Sequence, residues 1–405
     1  MKYIKVKEAA EKWGVTPRRV QDLCKQGKIP GAQLWERTWM LPADAGYPGR
    51  EETQDNLPMP RKSPFLVMTD LYHTPGTADA TARTLEGQSE AKALFEAEIA
   101  YCRGEIDAVY AQAQYFLQKH SGFYAVIAGG MLLAQCAMWL GDLELWKKAK
   151  AHICEAPCRN DMDRSIVDLS LAAVDMSIRS LHGFPEWFTK GRFYRLPADA
   201  HPAAKVYYAK CLMIFAQEVA AETLSQEGVK GLTLMKMLPN TIEPMIAQAQ
   251  VDKTVLVEIY LRLLCAIIYQ NSGDMEWAIQ HLDAAIALAL PDKLLAPLAE
   301  YRRQLGYLLD DRLGLQDPEA LKELKNMHKQ LHQGWTKLHN AVLDKSVSAA
   351  LSVREREVAR LAAFGLSDQE IAEQLQLSKS TVKSLISMAK NKTGTMKRAE
   401  LAAFI

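Results

Sequence analysis

Residues 351–405 read LSVREREVARLAAFGLSDQEIAEQLQLSKSTVKSLISMAKNKTGTMKRAELAAFI, and their spacing marks three helix starts. Ser352 is followed three residues later by Glu355, and Ser367 by Glu370, so each pair forms a capping box in which either side chain satisfies a free N–H near the other. Gly365 suits the left-handed position that stops the first helix. The interval Gln376-Leu377-Ser378 is a tight turn whose Ser378 can cap a third helix. The order is helix, helix, short turn, helix.

The third helix has two separable faces. Val382, Leu385, Ile386 and Ala389 recur at the spacing of an inward stripe. The other face carries Ser380, Lys383, Ser384 and Ser387, with Lys379, Thr381 and Lys390 beside them, and no carboxylate occurs from Leu375 to Arg398. A helix that lies against phosphates and base edges needs such a face, because acidic groups would be repelled there.

This segment resembles the C-terminal helix-turn-helix domain of the LuxR class of bacterial transcription regulators. The matching residues are Arg354-Glu355-Arg356-Glu357-Val358, Gly365-Leu366-Ser367, Glu370-Ile371-Ala372, Leu375, Ser378 and Thr381-Val382-Lys383. Leu385 and Met388 replace a histidine and a polar residue usual in the family, and Thr393 replaces a leucine. The resemblance implies a four-helix DNA-binding domain over residues 346–405, with its third helix in the major groove of double-stranded DNA.

The first fifty residues make a comparable pattern. Lys7 to Trp13 predicts a short helix closed by Gly14, and Thr16-Pro17 starts the next with a capping hydroxyl and a proline at N1. Gly27 ends that helix. Ala32 to Trp35 and Thr38 to Pro42 predict a two-stranded wing turning at Glu36-Arg37. Residues 1–46 thus resemble the excisionase or MerR-like winged helix-turn-helix. The resemblance implies that Thr16, Arg18, Arg19 and Gln21 lie at the exposed start of a recognition helix and Arg37 at the wing tip, where a guanidinium fork can hold guanine acceptors or a phosphate. The competing reading is a small domain whose arginines are merely solvated.

Between residues 47 and 89, prolines at 48, 58, 60, 64 and 75 predict a semi-extended linker. The apolar island Phe65-Leu66-Val67-Met68, with Leu71 and Tyr72, suits either docking onto the next domain or a local turn. Residues 90–317 read as helix after helix, over 90–103, 105–119, 123–140, 142–153, 164–181, 202–224, 253–271, 274–289 and 293–312. At Gly104-Glu105, Gly141-Asp142 and Gly273-Asp274 an apolar helix ends at glycine and an acidic residue opens its partner. These junctions resemble tetratricopeptide-type hairpins, although residues 155–250 do not parse into copies. Such arrays form concave surfaces for a peptide or small-molecule effector, and related arrays precede the LuxR-type domain in MalT-like regulators. Those regulators also carry an NTPase, whereas no GxxxxGK[ST] loop occurs here.

A connecting helix over 318–345 follows. Its Leu321, Leu324, His328, Leu331, Trp335, Leu338 and Val342 make an a/d seam that suits a homodimer or packing back onto the array equally well.

Composition narrows the rest. The formal net charge is +1, but residues 1–50 hold ten Lys and Arg against five Asp and Glu, and residues 351–405 nine against six. Two basic ends flank an acidic middle, as nucleic-acid contacts at the ends would require. Seven scattered cysteines make no disulfide framework, the start lacks a secretory pattern, and no apolar run approaches the ~20 residues of a membrane span. A cytoplasmic location is expected. His152, Cys154 and Cys158 have no second Cys/His pair at a metal-finger interval, and no glutamate follows His328, which precedes His332 by one turn. Trp187, Phe188, Phe193, Tyr194, Tyr207 and Tyr208 suit a core better than an effector pocket.

The expectation is a mainly α chain: a winged helix-turn-helix, a central all-α helical-repeat array and a LuxR-type tail. It would act as a DNA-binding transcription regulator with no catalytic residues, cofactor or metal. The alternative is a protein-interaction adaptor in which one or both helix-turn-helix units do not bind DNA.

Overall fold

Glycine in the left-handed region stops the helices at the three junctions marked by sequence, where Gly104, Gly141 and Gly273 have φ of 77, 64 and 87°. The computed structural model describes residues 3–13, 15–25, 27, 29–35, 38–43, 45, 71–119, 122–181, 183–223, 234–343, 351, 353–393 and 395–404. It divides into two compact units, residues 1–59 and 60–405.

The first unit contains β1 (Tyr3–Lys5), α1 (Val6–Trp13), α2 (Pro17–Lys25), β2 (Gln33–Trp35) and β3 (Thr38–Pro42). The sheet order is β1-β3-β2, antiparallel throughout, with Trp35 opposite Thr38 and Ile4 opposite Leu41. Strand β1 was not expected. Its three residues run directly into α1, too short a stretch for alternation to register. Val6, Ala9, Ala10, Val20, Leu23, Cys24, Ile29 and Leu41 form the core.

The second unit starts with α3 (Ala78–Thr84), α4 (Ser89–Arg103), α5 (Ile106–Lys119), α6 (Phe123–Leu140), α7 (Leu143–Cys154), α8 (Asp161–Ser177) and the short α9 (Glu186–Thr189). It continues with α10 (His201–Thr223), α11 (Pro239–Asp252), α12 (Val255–Ser272), α13 (Met275–Ala289), α14 (Leu295–Leu305), α15 (Tyr307–Gln316) and α16 (Pro318–Leu343). The last elements are α17 (Val353–Ala363), α18 (Asp368–Gln374), α19 (Lys379–Thr393) and a 3-10 turn at Ala399–Phe404. Helices α5, α6 and α7 pack in succession, as do α11, α12 and α13.

Helices α6 and α12 are both 18 residues long and apolar enough to pass a membrane-span test by length and composition, closer to that limit than the sequence suggested. They are 78% and 83% buried inside the protein, as core helices are.

Four expectations change. Helix α11 lies in the stretch that could not be parsed, where Pro239 at the start and Pro244 within obscure the helical period. The expected helix 293–312 is two helices broken at Gly306, whose φ is 62° and whose missing Cβ leaves room for the Glu357 carboxylate; a Cβ there would stand 2.7 Å from Oε1. Part of the expected linker is folded: Tyr72 is buried, and its hydroxyl donates to Asp292 at 2.6 Å, which also accepts the Gly76 N–H at 2.7 Å. Phe65 to Met68 lie outside the described residues.

The fourth change concerns α16, which packs on α6, α14 and α15. Gly334 makes this crossing possible, since a Cβ there would overlap the Trp139 carbonyl. The Trp335 indole donates to the Ser177 carbonyl at 2.9 Å, and His339 to the Ile178 carbonyl at 2.7 Å. The a/d seam is filled inside the chain, so the homodimer expectation loses the surface that carried it.

Candidate nucleic-acid interface

Helices α18 and α19 are held at a fixed angle by caps written in the sequence. The Ser367 hydroxyl accepts the Glu370 N–H at 3.2 Å while Glu370 accepts the Ser367 N–H at 2.7 Å, a complete capping box. These bonds hold the Glu370 carboxyl below the usual range. Ser378 accepts the Thr381 N–H at 3.1 Å, and its hydroxyl also pairs with those of Ser380 and Thr381 at 2.8 and 2.7 Å. Ser352, the other expected cap, lies outside the described residues.

The turn between the helices places Gln376 at φ 53°, a left-handed conformation that a non-glycine residue adopts only when held there. One holding contact is Arg354, whose guanidinium donates to the Leu375 carbonyl at 3.1 Å. Arg398 braces the other side, reaching Asp368 at 2.7 Å and the Leu366 carbonyl at 2.9 Å. Sequence reasoning assigned neither arginine a role, because their partners lie 21 to 32 residues away.

Helix α19 turns Val382, Ile386 and Ala389 into a core shared with Val358, Leu361, Ile371 and Leu401. Leu385 packs partly against the same core. Lys379, Ser380, Thr381, Lys383, Ser384 and Ser387 are exposed, and Lys390 is half-buried. Met388 is exposed among them. The aligned amide dipoles of α19 add positive potential at its start, on the same surface.

In the first unit, Pro17 opens α2, and Thr16, Arg18 and Gln21 are exposed at its start. The side chain of Arg19 and all of Arg37 lie outside the described residues. Strand β2 exposes Leu34 and Trp35, the latter stacked on Tyr3 with ring centroids 5.8 Å apart.

Other candidates are placed differently. Among the described residues no group of three or more His, Cys, Asp or Glu side chains is arranged to hold a metal ion. Phe188 is fully buried, with Phe193 and Tyr208 packed around it, while Tyr194 is exposed. His328 donates to the Ala299 carbonyl at 2.9 Å and stacks on His332.

A surface that the sequence did not announce is the face of α17 opposite the core. Glu355, Arg356, Glu357 and Arg360 are all buried. Arg360 donates to Asn271 at the end of α12, and Arg356 to His332 of α16 at 3.4 Å. Gln270 donates to Glu357 at 3.4 Å, Gln374 donates back to the Gln270 carbonyl, and the Arg354 guanidinium lies 4.6 Å from the Tyr307 ring centre. Burial brings Arg356 and Arg360 down to about 10 and pushes the Glu357 carboxyl up despite Arg360 and Arg354 beside it. The C-terminal domain is therefore docked on the helical middle through α17, which leaves the polar face of α19 in solvent.

Residues 349–405 match the family model described as bacterial regulatory proteins, luxR family. The C-terminal segment is thus a LuxR-family helix-turn-helix domain, which implies binding of double-stranded DNA. No curated protein and no solved structure matches the chain.

Proposed function

We propose that this chain is a transcription regulator in which the α19 face reads DNA and the helical middle responds to a small ligand or partner. One observation carries the reading: within the LuxR-family domain, six polar or cationic side chains stand exposed on one helix that carries no carboxylate, behind a turn locked by two caps. Lys379, Lys383 and Lys390 would neutralise phosphates and set register, while Ser380, Thr381, Ser384 and Ser387 are short enough to approach base edges. The winged helix-turn-helix reading of residues 1–46 would supply a second DNA contact through Thr16, Arg18, Arg19, Gln21 and Arg37. The middle, with its tetratricopeptide-like hairpins, would alter the availability of the two ends.

Selection of genomic fragments with the full-length protein, followed by gel shifts over a salt series, tests this. Binding should weaken steeply with salt, and Lys383→Ala and Arg18→Ala should each reduce it. A salt slope near zero for the selected fragments would instead favour an interaction adaptor.

A further inference from the structure

The turn that aims α19 is held from outside its own domain. Gln376, just past the end of α18, has φ of 53°, which is disfavoured for a residue with a side chain, so its neighbours must hold it. The Leu377 N–H closes back on the Ala372 carbonyl at 2.8 Å. The Leu375 carbonyl belongs to the peptide unit that enters Gln376, and it accepts from Arg354 Nη2 at 3.1 Å. That bond fixes one side of the left-handed dihedral.

Arg354 is itself held by the helical middle. Its guanidinium lies 4.6 Å from the centre of the Tyr307 ring, and its Nη1 donates to Glu357 at 2.9 Å. Glu357 is buried and accepts further from the Gln270 side chain at 3.4 Å and from the Tyr307 N–H. Tyr307 opens α15 directly after the Gly306 break, the gap that admits this carboxylate. A second path leaves from the same Gln270. Its backbone carbonyl lies in the last turn of α12, where helix carbonyls take outside donors, and it accepts from Gln374 at the end of α18. Both paths, one through Glu357 and Arg354 to Leu375 and one straight to Gln374, end within two residues of Gln376.

An open crevice of about 1230 Å³ runs beside these contacts, lined by Met275 and Leu315 of the middle and by Glu373 and Gln376 of the DNA-binding domain. The turn is therefore not pressed on the middle by a continuous apolar surface, and its orientation depends on the polar contacts that cross.

We propose that Gln270 and Tyr307 of the helical middle are positioning residues for DNA binding, which hold the α18–α19 turn through Glu357, Arg354 and Gln374 and so set the angle at which α19 meets the groove. The inference rests on the reading of α19 as the DNA-facing helix and deepens the role of the middle. The docked pose is the one that reads DNA, because it fixes the turn while the polar face of α19 stays in solvent. A working site must be held within about half an ångström of its productive geometry, so a small movement at the end of α12 or at Gly306 reaches α19 without touching DNA.

The test uses full-length protein, a selected genomic fragment and gel shifts over a salt series. Tyr307→Leu removes the ring beside Arg354, and Gln374→Ala removes the donor to Gln270. Each should weaken DNA binding by about fivefold, the size of one cation–π contact or hydrogen bond. The log–log salt slope should stay at the wild-type value, because the lysines that meet phosphate are untouched. Tyr307→Phe keeps the ring and should bind as wild type does, while thermal unfolding checks that all variants are folded. Wild-type or tighter affinity in either weakening variant overturns the proposal, and so does a changed slope, which would make the residue a phosphate contact. The two readings separate in the same experiment: no salt-dependent binding by the wild type removes both, whereas weakening by Lys383→Ala without weakening by Tyr307→Leu removes only the positioning role.

Discussion

Helices α17 and α19 belong to one domain and are both rich in ionic side chains, yet they use them in opposite ways. Helix α17 alternates signs, and Glu355, Arg356, Glu357 and Arg360 are buried against the domain and the helical middle. Helix α19 carries lysines alone and holds Lys379 and Lys383 in water. Mixed signs allow burial because each charge meets a partner or a polar backbone group, whereas a single sign cannot be buried without repulsion. Charge content by itself therefore does not mark a nucleic-acid face; single sign and exposure together do.

The contrast breaks most directly at Arg360. Arg360→Met leaves Asn271 without its buried donor and removes one of the two positive charges beside Glu357, and should cost about 3 kcal/mol in urea unfolding of the full-length protein. Stability equal to the parent would mean that the α17 charges act as surface charges, like those of α19.

Next comes acidity at the docked face. Burial pushes His328 down to about 4 and His332 down to about 3, from 6.5. Below about pH 6.5 the unfolded chain takes up protons that the folded chain refuses, so stability should fall by about 1.4 kcal/mol per pH unit for each histidine until the folded values are reached. Above that pH these groups leave stability flat. Urea midpoints across this range should show the loss, and His332→Gln should remove about half of the slope; an unchanged slope would take His332 out of the seam.

Smaller still is the cap of α19. Ser378→Ala removes the acceptor of the Thr381 N–H and should cost about 1 kcal/mol. A cost near zero would mean that the turn, rather than the cap, positions the helix.

The smallest change in stability belongs to the DNA-facing side. Lys383→Ala should shift unfolding by no more than ~0.5 kcal/mol, as exposed substitutions do. The same variant should lower the log–log salt slope of DNA binding by about 0.9. Wild-type salt dependence in this variant would place the phosphate contact elsewhere on the domain.

The sequence reached far where signals are local. The caps at Ser367 and Ser378, the left-handed stops at Gly104, Gly141, Gly273 and Gly365, and the separation of Val382, Ile386 and Ala389 from Lys383, Ser384 and Ser387 all rest on residues within a turn or two of each other. Those interactions depend on spacing along one backbone, so one chain of letters carries them. It did not reach α11, whose prolines mask its period, or the break at Gly306, where the deciding atom belongs to Glu357.

Most of the helices and the exposed cationic face were thus determined by the sequence itself. Only the tertiary structure decided which of two partners the α16 seam meets, and it chose α6 by letting Gly334 pass the Trp139 carbonyl without a side chain. It alone also decided that Arg356 and Arg360 are buried and that Lys210, Arg303 and Glu300 line one cavity. The reason is physical: a helix is closed by bonds four residues apart, whereas packing and desolvation are set by groups that only folding brings together.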